Sequence, residues 1–320
     1  MSEKFGWCFI GCGTLAKKVA KQIIKSGRHT VVSVYSRSFD KCRAFANKYG
    51  ASAYGSAAQA INADGVDGVY IVTPHASHYE YAKLSLELGK PVFCEKSFTV
   101  DAKQAEELAA IAKDRGIYLA EAMWTWFAPV ANKVKKWLDC GEFGEIKSVK
   151  IKSHLPTLMY APRVTDPAAA GGTLLDMGVY SVTYLYRLFG TPSEIKCKGD
   201  VSKGIDWRNY IELKFPSGLK CSASVSIKDF GFEKLIIEGS KARLKLGFFH
   251  SANSVKLIRK NGKNEKFSGY GGYLNEFDIA ASEIREGLNE SRFVPLKATV
   301  DVMQIMDECR NQMNLVYPFE

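Results

Sequence analysis

A glycine-bearing segment near the start of the chain has the residue types and spacing of a phosphate-binding turn. It follows the apolar run Phe5–Ile10, reads G-x-G-x-x-A over Gly11–Ala16, and opens an amphipathic stretch, Leu15–Ser26. In such a turn the first glycine permits the bend, the second lets backbone approach a pyrophosphate, and the small third residue allows close helix–strand packing. The phosphates would lie on the helix N-terminus, where unpaired N–H groups favour negative charge. The alternative is a turn that binds no ligand. We expect dinucleotide contacts from Gly11, Cys12, Gly13, Thr14 and Leu15.

The end of the second apolar run, Thr30–Tyr35, indicates which dinucleotide is bound. An NAD site places Asp or Glu there to accept from the ribose 2′-OH, whereas this chain continues with Ser36, Arg37 and Ser38. A carboxylate would repel a 2′-phosphate, while the fork of an arginine and nearby hydroxyls suit it. The sequence therefore favours NADP over NAD. In the alternative, Arg37 merely starts the next helix on the surface.

Two further segments carry groups that could handle a proton. Glu95 and Lys96 follow a predicted fifth strand, and ligands of doubly wound sheets bind beyond the carboxyl ends of strands. Asp176 and Tyr180 are four residues apart behind a pair of glycines, hence on one face of a predicted helix. Each has a plainer interpretation: a solvated loop lysine, a first-turn acid, and a tyrosine of the core.

The order of the elements predicts the fold class. Up to about residue 120, short apolar runs alternate with helical patterns, which indicates a parallel sheet wrapped by helices. After that the pattern changes to a long strand at Ile146–His154, a helix at Leu174–Phe189 and several strand-length runs within Glu194–Arg259. We expect an α/β chain with a dinucleotide-binding domain at 1–121 and an α+β domain at 122–320 for substrate binding and dimerisation. Its open, mostly antiparallel sheet would be covered by a second copy of the chain.

Composition excludes several other classes of protein. The 320 residues are 46% hydrophobic and 24% charged, and no apolar run is long enough to span a membrane. We also expect no secretory leader. The net charge of +10 is spread along the chain rather than gathered in a basic tail, so nucleic acid is not an expected partner. The eight cysteines are scattered, without C-x-x-C pairs or zinc spacing, which predicts reduced thiols, a cytoplasmic location and no metal.

Together these motifs resemble the Gfo/Idh/MocA family of oxidoreductases, over essentially the whole length. The resemblance is closest to its branch of dimeric dihydrodiol dehydrogenases and NADP-dependent xylose dehydrogenases. The matching segments are the glycine turn, Thr73-Pro74 with His78, Glu95-Lys96, Gly171-Gly172 with Asp176, Tyr180, Glu121–Phe127 and Met306–Arg310.

The resemblance implies hydride transfer between NADP and a CH–OH group of a sugar or vicinal diol. It implies that Tyr180 is the general acid/base, that the Lys96 ammonium stabilises its phenolate, and that Asp176 orients Tyr180 or the substrate. Trp124 and Phe127 would form a flat apolar wall for the substrate. Further cofactor contacts would come from Thr73, Pro74, His78, Glu95, Lys96 and Arg163.

The chain departs from the family pattern at two positions. Ser97 replaces the usual proline after Glu95-Lys96. Trp126 replaces an arginine before Phe127, and this second departure affects the expected substrate more than the expected reaction. Two other functions stay open. One is a non-enzymatic dinucleotide-binding regulator on the same fold, although a sensor needs no Lys96 and Tyr180. The other is a sugar-nucleotide enzyme with tightly bound NAD, which Arg37 disfavours.

Overall fold

The computed structural model describes residues 3–156, 159 and 161–320. The chain divides into two compact units, one formed by 1–124 with 272–300 and the other by 125–271 with 301–320. The sequence-based division drew a single boundary after residue 121. The structure instead adds a segment near the C-terminus, which contains a whole helix, to the first unit.

The first unit contains a six-stranded parallel sheet with the strand order 3-2-1-4-5-6. This is the order of a doubly wound dinucleotide-binding sheet, so the predicted fold class is confirmed for this unit. β1 and β4 are buried at every position, as expected for central strands covered on both faces. The strands are β1 (Phe5–Ile10), β2 (His29–Tyr35), β3 (Ser52–Tyr54), β4 (Gly68–Ile71), β5 (Val92–Glu95) and β6 (Leu119–Ala122).

Helices α1 to α5 connect these strands, and a sixth helix of this unit comes from far along the chain. That helix, α9, carries Phe277, whose ring lies 4.9 Å from Trp7 and 4.8 Å from Tyr70. This aromatic packing explains why the segment 272–300 belongs to the first unit. The helices are α1 (Thr14–Lys25), α2 (Phe39–Tyr49), α3 (Ala57–Ile61), α4 (His78–Glu87), α5 (Ala102–Arg115) and α9 (Tyr273–Arg285).

The second unit contains an eight-stranded sheet with the order 14-13-12-11-7-10-9-8. Its pairs are antiparallel except for β7 with β10, which confirms the predicted mostly antiparallel sheet. The strand β14 lies beyond the region where strands were predicted. The strands are β7 (Ile146–His154), β8 (Glu194–Ser202), β9 (Ile205–Lys214), β10 (Lys220–Ser226), β11 (Lys234–Gly239), β12 (Ala242–Gly247), β13 (Ser254–Arg259) and β14 (Glu265–Ser268).

The helix predicted at 174–189 begins with a turn of different geometry. Leu174–Gly178 is one turn of π-helix, and the α-helix α8 runs over Val179–Phe189. The backbone N–H of Leu174 donates to the buried Asp206 carboxylate at 2.8 Å, so a distant strand caps this helix start. The remaining helices are α6 (Trp124–Phe127), α7 (Pro129–Asp139) and α10 (Leu296–Met313). Short 3₁₀ turns in the described ranges include His75–Ser77, Pro162–Thr165 and Pro167–Ala169. No helix in the described part of the chain has the length and apolar character needed to cross a membrane.

Candidate functional site

The glycine turn after β1 is held tightly against the neighbouring strand. Gly11 has φ +113°, and a Cβ built on it would lie 2.6 Å from the carbonyl oxygen of Val72. The Gly11 N–H also donates to the Tyr35 carbonyl at 2.8 Å. Any side chain at residue 11 would therefore push the ends of β1 and β4 apart, which accounts for the first glycine of the motif.

The second glycine of the turn faces open space. A Cβ on Gly13 would meet no described atom within 4 Å, and Gly13 caps α1 without any side-chain hydrogen bond. The first turn of α1 contains no acidic residue. Uncapped N–H groups, a positive helix end and free room in front of them fit an anionic pyrophosphate. Ala16, the third small residue, is fully buried.

The three residues after β2, Ser36 to Ser38, differ in their exposure and contacts. The Ser38 hydroxyl accepts from the Lys41 N–H and caps α2, while Arg37 is exposed and Ser36 half-buried. Arg37 also lies close enough to Tyr81 to oppose the effect of burial, which raises the pKa of that phenol to about 12. Of the three residues, Ser38 is therefore engaged in capping α2, and Ser36 and Arg37 are not part of that cap.

His78 ties together two of the loops that the sequence singled out. Its Nε2 lies 2.8 Å from the Thr73 carbonyl oxygen, and its Nδ1 lies 2.9 Å from that of Ser97. Pro74 separates Thr73 from the 3₁₀ turn that leads to His78. The buried Thr73 hydroxyl has no hydrogen-bond partner within the described ranges, so it can donate to a bound group. The Lys96–Ser97 peptide bond is cis.

Glu95 belongs to a buried cluster that the sequence did not reveal. Its Oε1 accepts from the Tyr70 hydroxyl at 2.6 Å, and its Oε2 accepts from the Lys96 backbone N–H at 3.3 Å. Glu276 on α9 is fully buried nearby, and its burial, together with the Glu95 charge, raises its pKa well above the usual range. The cluster fixes the end of β5 from which Lys96 projects.

Glu121 at the end of β6 is the other buried acid of this region. Burial raises its pKa to about 7, and both Glu95 and Lys96 are close enough to act on it electrostatically. The Thr299 hydroxyl donates to its Oε2 at 3.1 Å. Lys96 itself is buried. The structure therefore brings Lys96, Glu95 and Glu121 together at the carboxyl ends of neighbouring strands.

The two residues of the predicted aromatic wall, Trp124 and Phe127, belong to different units of the chain. In the first unit, Trp124 stacks on Tyr273 with ring centroids 5.3 Å apart. In the second unit, Phe127 and Trp126 are buried, and the guanidinium of Arg187 lies 5.0 Å from the Trp126 ring centroid. Trp126 thus packs against the guanidinium of Arg187. In the pattern that the chain resembles, the residue at this position is itself an arginine.

The paired glycines lie where the chain passes very close to itself. A Cβ on Gly171 would lie 2.7 Å from the Val164 carbonyl oxygen, and one on Gly172 would lie 2.2 Å from Asp206 Oδ1. This packing brings the turn at 162–165 beside the π-helical turn. As a result Arg163 donates to Asp176 Oδ1 at 2.7 Å. Asp176 is buried, whereas the Arg163 side chain is 42% exposed.

Tyr180 lies one helical turn beyond Asp176 and is 7% exposed. Its ring stacks on that of His250, with centroids 5.1 Å apart and an interplanar angle of 26°. Within the second unit Arg163 therefore contacts Asp176, and the ring of His250 packs against Tyr180. Nothing in the sequence pointed to His250, which lies 70 residues further along the chain. No group of three or more His, Cys, Asp or Glu side chains suited to a metal occurs among the described residues.

A parallel sheet of this order with a glycine turn after β1 defines a dinucleotide-binding protein, and comparison with known families agrees. Residues 5–122 match the model of an oxidoreductase family with an NAD-binding Rossmann fold. Residues 131–245 match the GFO/IDH/MocA C-terminal domain. The chain belongs to the Gfo/Idh/MocA family of oxidoreductases.

Curated relatives are similar over nearly the whole chain. Trans-1,2-dihydrobenzene-1,2-diol dehydrogenase of Mus musculus is 29% identical and aligns over 98% of both chains. The NADP⁺-dependent D-xylose 1-dehydrogenase of Hypocrea jecorina is 28% identical over 98% of this chain and 93% of its own. The fold is also similar to that of a 3-ketoreductase from Actinomadura kijaniata solved with NADP and TDP-benzene. The TM-score is 0.88 at 22% identity, covering 97% of this chain and 98% of the other.

Replacing Glu121 by Gln should change the pH dependence of stability. The pKa of Glu121 is about 4.5 in the unfolded chain and about 7 in the folded protein. Between these two pH values, the folded carboxyl keeps a proton that the unfolded chain has released. The free energy of unfolding of the parent protein therefore falls as the pH rises through this window, by up to roughly 3 kcal/mol from this group. Glu121→Gln should remove that contribution and be the more stable protein at pH 8.

Urea unfolding at pH 5 to 8 measures this effect. Glu87→Gln, a change at an exposed carboxyl on α4, is the matched control and should keep the parent pH dependence. If Glu121→Gln unfolds with the parent pH dependence, Glu121 does not titrate in this range in the folded protein.

Proposed function

We propose that the chain is an NADP-dependent oxidoreductase that transfers a hydride between the nicotinamide and a CH–OH group of a sugar or vicinal diol. The observation that carries the proposal is the turn at Gly11–Ala16, with its uncapped helix start and open space at Gly13. Two relatives are named as dehydrogenases of a dihydrodiol and of D-xylose, which supports the substrate class. The name of the second specifies NADP⁺, which supports the cofactor class.

The cofactor would be held by groups that the first unit supplies. The N–H groups at the start of α1 would bind the pyrophosphate, and Ser36 with Arg37 would bind the 2′-phosphate. The Thr73 hydroxyl would donate a further hydrogen bond. Additional contacts are proposed for Cys12, Thr14, Leu15, Pro74, His78, Glu95 and, from the second unit, Arg163.

The proton would be handled by groups of the chain itself, since bound NADP supplies only the hydride chemistry of its nicotinamide ring. Tyr180 would remove the proton of the substrate hydroxyl in oxidation and return it in reduction. The Lys96 ammonium would favour the phenolate form and hydrogen-bond the substrate or ribose. Asp176, anchored by Arg163, would keep a substrate hydroxyl oriented.

The substrate would be a small molecule with a flat ring and several hydroxyls. Trp124 and Phe127 would supply apolar surfaces for such a ring, and Asp176 and Tyr180 would supply polar contacts. Trp126, which packs under Arg187, offers no charge to the substrate. A neutral polyol is therefore favoured over an anionic sugar at that position.

We also propose a cytoplasmic location. All eight cysteines have free thiols, and six of them are buried. Burial raises the pKa of the Cys8 and Cys221 thiols to about 12, which suits structural rather than redox roles.

A change of Arg37 to Ala should weaken NADP binding selectively. The loss of a charge-assisted contact to the 2′-phosphate should raise the Kd for NADP about 10- to 100-fold, and the Kd for NAD should stay within about twofold. Calorimetric titration of both dinucleotides measures this. Arg43→Ala, at an exposed arginine of α2 paired with Asp40, is the control and should change neither Kd. A parent protein that binds NAD more tightly than NADP would contradict the role of Arg37.

Changes of Lys96 to Met and of Tyr180 to Phe should each lower kcat about 10²- to 10⁴-fold, because each removes a group that handles the proton. The measurement is turnover of NADP(H) with a panel of aldoses and diols. Tyr186→Phe, which removes a hydroxyl on the same helix that donates to Asp301, is the control for Tyr180. Full activity in both variants would refute the roles, and NADPH binding without any turnover would favour a regulatory protein.

A homodimer through the open face of the second sheet is proposed last. That face carries both charged and apolar side chains: Lys150, Tyr210 and Ile236 line a depression of about 260 Å³, and Glu212 lies on the same side. A two-fold contact would bury the tyrosine and isoleucine and pair lysines with acids of the other copy.

Light scattering should give twice the mass of the chain, and Tyr210→Asp should give a monomer. Val316→Asp, at an exposed apolar residue elsewhere, is the control. A monomeric parent protein would refute this interface.

A further inference from the structure

A carboxylate of the second unit is buried beside Tyr180 and is held by two side chains. Glu233, immediately before β11, has a side chain with 0% exposure. Its Oε1 accepts from the Ser153 hydroxyl of β7 at 2.7 Å, and its Oε2 contacts Nδ1 of His250. A buried carboxylate needs such donors, because its transfer from water is otherwise very costly.

His250 connects this carboxylate to Tyr180. It lies in the loop between β12 and β13, and its side chain is 17% exposed. One edge of the imidazole contacts Glu233, while its face stacks on the Tyr180 ring at 5.1 Å and 26°. Offset stacking at this distance is favourable, and it is strengthened when one of the two rings carries a positive charge.

We propose that Glu233 and His250 are positioning residues for Tyr180, the buried carboxylate holding a protonated imidazole against the face of the phenol. In this arrangement the Glu233 contact sets the orientation of the imidazole, and the imidazole sets that of the phenol. A positive charge on the imidazole that stacks on Tyr180 favours the phenolate needed to accept a proton. No relative or family description above assigns a role to either residue.

The titratable side chains described around this imidazole come from two elements, the start of β11 and α8. Glu233 contacts it from the start of β11, and Tyr180 stacks on it from α8. Tyr184, one turn further along α8, meets the neighbouring Phe249 ring at 5.6 Å, and burial raises the pKa of its phenol above the ordinary value. Ser153 is the neutral donor of the group. Glu233 is thus an acid in direct contact with the ring, and its replacement by Gln removes that negative charge.

Two substitutions at His250 separate charge from packing. His250→Arg keeps a planar cation that can pair with Glu233 and stack on Tyr180, whereas His250→Gln keeps a hydrogen-bonding group without the charge. Glu233→Gln keeps the shape of the carboxylate and removes its charge. In His250→Gln and in Glu233→Gln, we expect the acid limb of the kcat–pH profile to move to higher pH by about one pH unit. The His250→Arg profile should match the parent, and so should that of the control His154→Gln, whose imidazole contacts Ser224 instead.

The proposal rests on the proposed function, because a pH–rate profile needs turnover, so a second measurement does not use activity. The chain has five histidines, and the NMR signals of isotope-labelled imidazoles are separable. The His250 signal, identified as the one absent in His250→Arg, should be that of a doubly protonated ring at pH 7 in the parent and of a neutral ring in Glu233→Gln.

The two possible failures are distinguishable. A parent protein without turnover of any substrate refutes the proposed function, and the imidazole signal alone then decides the present proposal. A neutral His250 in the parent at pH 7 overturns it. So does a kcat–pH profile that His250→Gln and Glu233→Gln leave unmoved, since a merely structural pair would lower stability without shifting the profile.

Discussion

The close passage of the end of β1 past the end of β4 is the constraint on which the rest of the first unit depends. Because a Cβ on Gly11 would lie 2.6 Å from the Val72 carbonyl oxygen, only glycine allows the two strands to end side by side. This contact points the start of α1 at the carboxyl edge of the sheet. The same edge receives Thr73 from β4, Lys96 from β5 and Glu121 from β6, so one backbone contact aligns the cofactor turn with the groups that would act beside it.

In both units, buried acids contact or cap the segments that carry the proposed site residues. In the first, Glu95 joins the Tyr70 hydroxyl to the Lys96 backbone. In the second, Asp206 caps the π-helical turn that carries Asp176, and Glu233 contacts the ring that stacks on Tyr180. Acids at such depth are costly to bury unless donors surround them. Their concentration around a few side chains is typical of functional regions, where stability is exchanged for orientation.

The sequence predicted those features that local patterns determine. β1, the glycine turn and α1 follow from an apolar run, two glycines and an amphipathic stretch, and β7 was predicted with its observed bounds, Ile146–His154. The features it missed depend on contacts between distant residues. The π-helical turn at Leu174–Gly178 depends on Asp206, and the return of α9 to the first unit depends on the fit of Phe277 among aromatic rings. Asp176 and Tyr180 were predicted as site residues from their spacing and the resemblance, but Glu233 and His250 lie in segments without any motif.

The most direct test of the account follows the hydride itself. NADPH carrying deuterium at C4 of the nicotinamide, in the position that is transferred, would be incubated with a panel of ketoses, aldoses and diketones, and the products analysed by mass spectrometry and NMR. We predict that deuterium appears on the carbinol carbon of at least one sugar or vicinal diol. NADPH that binds to the protein but never transfers its label to any carbonyl compound would contradict the account.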